Sequence, residues 1–327
     1  MGFNVYVTRA IPEPGPSILR AHCEIVEVNP QDAILGRPAL LKAAAGRDGL
    51  LCMGQDRMDA EALEAAGPRL RAMANYAVGY DNVSLPVLTA RGIAFSNTPD
   101  VLTETTADLA WALLMAAARR IAEADRFVRS GRWTGWGPMQ MLGLDVAAKT
   151  LGIVGAGRIG SAVAQRAAGF GMQVLYFDRS PRPELERRFG AARVGLDELL
   201  RRADFVSIHL PLTPETRHII SRREIGLMKP TAVLVNTSRG PLVDEAALAE
   251  ALRERRVAAA GLDVYEEEPR VHPGLLDLDN VVLVPHIGSA THQTRSKMAE
   301  VAATCLVAML KGECPPQCLN PEVFGHR

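Results

Sequence analysis

The chain has 327 residues, 37 basic and 37 acidic side chains, and a formal net charge of zero. That balance leaves no basic field to attract nucleic acid or an anionic lipid surface. Apolar residues make up 48%, enough for full cores in two domains of ordinary size, and no apolar run reaches the roughly 18 residues that a membrane span needs.

The N-terminus "MGFNVYVTRAIP" enters a strand-like stretch directly, so no signal peptide is expected. Tyr6 stands where a myristoylation signal requires Ser or Thr. In the first hundred residues the strand candidates are 4–7, 24–28, 49–53, 70–75 and 93–97, with helical stretches such as 58–67 between them. This is the rhythm of a parallel α/β sheet. One long helix is expected from "TPDVLTETTADLAWALLMAAARRIAEADRFVRSG", with Asp100 or Thr103 as cap and Gly131 just past its end. Its Ala- and Leu-rich middle predicts burial between two bodies. The segment 131–146 holds two of the three tryptophans, and a loop so apolar is expected to pack on something, such as a second subunit.

A second rhythm starts at 150. Strand candidates are 151–155, 173–178, 205–210, 232–236, 258–264 and 281–285. Six strands with a glycine-rich turn after the first predict a doubly wound dinucleotide fold. A terminal helix over 291–312 has no strand to follow. The first domain is therefore expected to be discontinuous, with crossings at about 100 and about 290 forming a hinge over a cleft. Cys23 and Cys52 are expected in the core. Cys314 and Cys318 flank "PPQ" with no histidine at zinc spacing, so no metal site is expected, and the protein is read as reduced and cytoplasmic.

"GAGRIG" places Gly155, Gly157 and Gly160 in dinucleotide spacing, with Arg158 and Ile159 in the turn. The first glycine permits the tight turn, the second the approach of a pyrophosphate, the third the packing of helix on strand. A strand before and a helix after supply the required context. Asp178 ends the next strand, 18 residues beyond Gly160, where an acid accepts from ribose hydroxyls and repels a 2′-phosphate. Arg179 and Arg182 follow and could instead pair with that phosphate. NAD(H) is favoured, with NADP(H) as the alternative.

Arg239 in "NTSRG" and His286 in "VPHIGSAT" both fall at strand ends where open α/β sheets bind ligands. An arginine suits a planar carboxylate. A histidine can exchange a proton with a carbonyl oxygen near neutral pH. Between them "GLDVYEEEP" puts Glu266, Glu267 and Glu268 in a row, and a carboxylate beside a histidine favours the imidazolium and fixes its tautomer. Glu268 is the expected partner, held by the following Pro269, while Glu266 and Glu267 are expected to be solvated neighbours. His209 stands at a strand end before Pro211. His22, His218, His272, His292 and His326 are expected in helices or loops.

The segments "NYAVGYDNV", "RGIAFSNTPDVLTETTADLA", "GAGRIG", "LPLTPETRHII", "LMKPTAVLVNTSRGPLVDE", "AAAGLDVYEEEP" and "VVLVPHIGSAT" cover the chain in order. Together they resemble the NAD(P)-dependent D-2-hydroxyacid dehydrogenases, the glyoxylate/hydroxypyruvate reductase branch most of all. The resemblance implies an α/β fold of two domains, a Rossmann-type doubly wound parallel sheet plus a flavodoxin-like α/β substrate domain. Residues 1–99 would be the first part of the substrate domain, 100–290 the dinucleotide-binding domain, and 291–327 a helix returning to the substrate domain. It implies a catalytic trio of Arg239, Glu268 and His286. The amides of Val78 and Gly79 would hold the substrate carboxylate, with Arg239, and Ser289 would assist. Thr106, Leu210, Pro211, Thr237, Ser238, Asp263, His286 and Gly288 would complete the cofactor site, Asp263 meeting the nicotinamide carboxamide. The partners implied are a small 2-keto or 2-hydroxy acid and a second subunit, with no nucleic acid and no membrane.

Phosphite dehydrogenase, a cousin, carries a lysine where this chain has Val78, so phosphite oxidation is not expected. Some hydroxypyruvate reductases place an aromatic where Gln140 aligns, which leaves the choice between glyoxylate and hydroxypyruvate open. A 2-ketogluconate reductase and an NAD(H)-binding corepressor without turnover are the other readings.

Overall fold

The computed structural model describes residues 2–31 and 33–325. Two compact units form, one from the chain up to Leu102 together with the segment from Ser289 onward, the other from Thr103–Gly288.

The first unit has strands β1 (Asn4–Val7), β2 (Ile25–Val28), β3 (Gly49–Cys52), β4 (Ala72–Asn75) and β5 (Ala94–Ser96). They pair in the order β2-β1-β3-β4-β5, all parallel, which is the flavodoxin-like order. Helices cover both faces of such a sheet, so its inner strands are buried on both sides. Every residue of β3 and β4 is buried, while edge strand β2 is partly exposed. Helix His292–Leu310 lays Met298, Ala299, Ala302, Ala303, Leu306 and Leu310 into the core beside Val5, Val7 and Leu51. Fully buried Asn320 then stitches the tail to β5, accepting from the Phe95 amide at 2.8 Å and donating to the Ile93 carbonyl at 2.9 Å. Cys23 and Cys52 are buried, and all five cysteines are free thiols.

The second unit has β6 (Thr150–Val154), β7 (Gln173–Phe177), β8 (Ala192–Arg193), β9 (Phe205–Ile208), β10 (Val233–Asn236), β11 (Ala259–Leu262) and β12 (Val281–Leu283). The order is β12-β11-β10-β9-β6-β7-β8, all parallel, a doubly wound sheet. The order reverses between β6 and β9, so their carboxyl ends frame the crevice where such sheets bind ligands. One face is covered by Leu199, Leu248, Leu252 and their neighbours. The other is covered by helix Thr103–Ala118, where Trp111 stacks on Phe170 at 4.6 Å and donates to the Val163 carbonyl.

Two expectations fail. The single long helix is two, Thr103–Ala118 and Ile121–Arg129, broken where Arg120 adopts a left-handed φ of 54°. The second piece buries none of its residues, so only the first is a core helix. Strand β8 was not expected; both of its residues are exposed and carry no apolar pattern. In 131–146, Trp133, Trp136, Met139 and Leu142 stand exposed on this chain.

Candidate active site

The turn after β6 is built around its glycines. Gly155 has φ +97°, and a Cβ there would lie 2.8 Å from the His209 carbonyl carbon. A Cβ on Gly160 would lie 2.0 Å from the Gly155 oxygen, so helix Arg158–Arg166 can start only if both are glycine. At Gly157 a Cβ would meet nothing within 4 Å. The protein itself does not require a glycine there, which fits a position kept open for a phosphate group. The Thr237 hydroxyl, just past β10, is buried without a hydrogen-bond partner among the described residues. An orphaned donor and an open cradle at one sheet edge fit a dinucleotide. Ile159 is half-buried and Arg158 exposed, on the helix's first turn. Leu210 and Pro211 follow β9, and the Leu210 carbonyl accepts from the Ser238 hydroxyl.

Asp178 lies just beyond β7. One carboxylate oxygen accepts from the Ala156 amide at 3.0 Å and from Arg182 at 3.1 Å, the other from the Ser180 amide at 3.1 Å. Burial works to raise its carboxyl, but these donors outweigh it and hold the group below the usual range. The acid is therefore ionised at neutral pH and faces the Gly-rich turn. Arg179 is exposed, and its carbonyl accepts from Arg193. Arg182, rather than Arg179, is the arginine paired with Asp178.

The expected trio gathers at the carboxyl ends of β10, β11 and β12. Nδ1 of His286 lies 2.9 Å from Glu268 Oε2, and the other Glu268 oxygen accepts from the Tyr265 amide at 3.2 Å. Burial raises the Glu268 carboxyl, but His286, with Tyr265 and Arg239, brings it below the usual range. With Nδ1 engaged, Nε2 is the ring nitrogen left for a ligand. His286 sits at φ +54°, a region non-glycine residues enter only with support. Asp263 supplies it. Its carbonyl accepts the His286 amide, and its carboxylate accepts the amides of Ile287 at 2.6 Å and Gly288 at 2.9 Å. Burial pushes Asp263 up to about 6. Thr106 donates to the Gly288 carbonyl at 3.1 Å, closing the same turn.

Glu266 corrects the expectation of a solvated neighbour. It bonds His218 Nε2 at 2.8 Å and accepts from the Glu245 amide at 2.9 Å, while the Glu245 carboxylate accepts the Glu266 amide. This reciprocal clamp ties the acid-bearing loop to helix Glu245–Arg253. Only Glu267 is solvated, paired with exposed Arg270. Burial lowers His209 to about 3, and its Nε2 meets Ser207, so it stays neutral and structural. His272 caps a short helix through the Gly274 amide, and His326 lies outside the described residues.

Val78 and Gly79 belong to the first unit, in the loop after β4. Two residues not expected from the sequence hold that loop. Asn97 donates to the Val78 carbonyl at 2.7 Å, and Asn75 to the Gly79 carbonyl at 2.9 Å. Their signal was an asparagine at or just past a strand end. Ser289 opens the returning segment, and its carbonyl accepts the Thr291 amide. Among the described residues no group of three or more His, Cys, Asp or Glu could hold a metal ion, and no helix is long and apolar enough to cross a membrane.

Residues 111–288 match the family described as "D-isomer specific 2-hydroxyacid dehydrogenase, NAD binding domain". The chain belongs to the D-isomer-specific 2-hydroxyacid dehydrogenase family. Glyoxylate reductase of Thermococcus onnurineus is 53% identical over 328 residues, covering 99% of this chain and 98% of that protein. Glyoxylate reductase of Aeropyrum pernix is 50% identical over 99% of this chain and 98% of its own length. Among solved structures, a Thermus thermophilus protein superposes with a TM-score of 0.89 at 46% identity, covering 97% of this chain and 99% of that one. An NADPH-dependent glyoxylate/hydroxypyruvate reductase from Sinorhizobium meliloti, in complex with NADP and malonate, superposes at 0.83 and 32% identity over 98% of each chain. This member of the family is thus an oxidoreductase with an NAD-binding domain.

Proposed function

We propose that this dehydrogenase reduces glyoxylate, and hydroxypyruvate as a second substrate, to the 2-hydroxy acid, with NADH favoured over NADPH. The observation that carries the reading is the 2.9 Å contact between His286 and Glu268 beside Arg239. Residues 100–290 hold the dinucleotide, and 1–99 with 291–327 serve the substrate. A bound nicotinamide supplies the hydride to the keto carbon. Arg239 binds the carboxylate and polarises the carbonyl. The amides of Val78 and Gly79 grip the same carboxylate. Glu268 holds His286 in one tautomer and orientation, and His286 delivers the proton from Nε2 to the carbonyl oxygen. The ionised Asp178 accepts from ribose hydroxyls and repels a 2′-phosphate, which supports NADH. Arg182 stands beside it and supports the slower use of NADPH.

The exposed Trp133, Trp136, Met139 and Leu142 support a homodimer through 131–146, and five unpaired cysteines support a cytoplasmic setting. Initial rates of NADH and NADPH oxidation with glyoxylate, hydroxypyruvate, 2-ketogluconate and pyruvate test the assignment. The highest kcat/KM is expected for NADH with glyoxylate. A clear preference for 2-ketogluconate or for NADPH overturns the corresponding half, and NADH binding without turnover favours a corepressor role.

A further inference from the structure

Glu245 is a carboxylate in an unusual place. It is the first residue of helix Glu245–Arg253, where an acid ordinarily points to water, yet it is only 5% exposed. It does not cap the helix, because Asp244 does that by accepting from the Ala247 amide at 2.9 Å. Among the described residues no lysine or arginine forms an ion pair with it, and burial raises its carboxyl. Burying a carboxylate costs free energy unless hydrogen bonds offset it. Here both oxygens accept backbone amides from a single loop. Oε1 takes the Glu266 amide at 2.6 Å, and Oε2 takes the His272 amide at 3.3 Å. One buried side chain therefore holds both ends of loop 266–272, and Glu268 lies between them.

His218 adds a third point. Its Nε2 meets Glu266 Oε2 at 2.8 Å, while Glu266 Oε1 accepts the Glu245 amide at 2.9 Å. The His218 amide donates to the Pro241 carbonyl at 2.8 Å, two residues beyond Arg239. His218 thus links the turn that carries Arg239 to the loop that carries Glu268. It does so at φ +51°, a conformation that a non-glycine residue keeps only where its surroundings impose it.

We infer that Glu245 and His218 are positioning residues for the catalytic acid. Glu245 fixes the two ends of loop 266–272, and His218 ties that loop to the Arg239 turn. Both act through Glu268, by setting where its carboxylate meets His286. The inference rests on the role of Glu268 proposed above and adds the groups that place it.

The test is a double-mutant cycle on the full-length enzyme, with kcat for glyoxylate reduction referred to the folded fraction. Glu245→Gln keeps the shape but turns an amide donor toward one of the two backbone amides. It is expected to lower kcat about 10- to 100-fold and leave KM for NADH unchanged. His218→Ala is expected to lower kcat about tenfold, and His218→Gln, whose amide can still donate to Glu266, to recover it to within about threefold of wild type. Adding either Glu245→Gln or His218→Ala to Glu268→Gln should cost no more than about a further threefold, because a residue that acts only through Glu268 has nothing left to position. A merely structural role would lower the melting temperature and the folded fraction without changing kcat per folded enzyme. Wild-type kcat in both single variants, or losses that multiply in full in the double variants, overturns the inference alone. Wild-type kcat in Glu268→Gln overturns the proposed role of that acid, and the inference with it. Failure of Glu245→Gln to fold makes that residue structural and overturns its half, and the His218 cycle then decides the other.

Discussion

Gly240 follows Arg239 directly and backs onto the loop that carries Glu268. A Cβ placed there would lie 1.9 Å from the Tyr265 carbonyl carbon, 2.0 Å from its oxygen and 2.4 Å from the Glu266 nitrogen. Real Cβ atoms do not approach within 3.0 Å, so one backbone must retreat by about 1.1 Å. No side-chain rotation relieves a clash between backbones. Either Arg239 or the Glu268 loop leaves its place, and both belong to the proposed machinery. A misplacement near 1 Å costs about 100-fold in rate, or about 2.7 kcal/mol at about 1.36 kcal/mol per decade. Gly240→Ala is therefore expected to lower kcat for glyoxylate reduction about 100-fold. Gly169→Ala, where a Cβ meets nothing within 4 Å, should leave it unchanged. The assay is the initial rate of NADH oxidation at saturating substrates, corrected for the folded fraction from a melting curve. A Gly240→Ala enzyme within about threefold of wild type would refute the claim that this backbone contact sets the catalytic geometry.

Gly157→Ala places its methyl in open space, so the melting temperature of the free enzyme should not change while NADH affinity, read by fluorescence titration, falls at least about tenfold; unchanged affinity would mean that no phosphate lies there. Glu268→Gln should lower kcat for glyoxylate reduction, because Nδ1 of His286 loses the carboxylate that orients the ring, whereas Glu267→Gln should do little; swapped results would sink the register through "YEEEP". The Glu268 carboxyl is held below its usual range, so its stabilising contribution is complete above that of a free glutamate and disappears as pH falls through the lowered value. Melting curves of wild type and Glu268→Gln should accordingly differ at neutral pH and converge in acid. Glu266→Gln weakens the clamp to His218 and should lower kcat without touching KM for NADH; an unchanged kcat would show that the clamp leaves the acid's position alone.

The buried strands were readable because strands covered on both faces are continuous apolar runs. "GLLC", "FVSI" and "VLVN" are buried at every position. Strand β8 was not, since its two exposed residues obey no such pattern. The break at Arg120 was hidden because Ala-rich sequence runs up to it and charged, helix-compatible sequence runs on from it. Motif spacing was enough to bring Arg239, Glu268 and His286 forward, each following a parallel strand. Glu266 was misread for a different reason. Its partners Glu245 and His218 lie 21 and 48 residues away along the chain, and only the fold brings them to it. Asn75 and Asn97 escaped notice likewise, because what they hold is a backbone carbonyl, which leaves no mark in the sequence.

The central claim is that His286, oriented by Glu268, delivers the proton. The most direct measurement is kcat for glyoxylate reduction by His286→Ala, taken together with its dissociation constant for NADH. The account predicts a fall in kcat of about 10²- to 10⁴-fold with NADH binding unchanged. Turnover close to wild type, with the cofactor still bound, would contradict it.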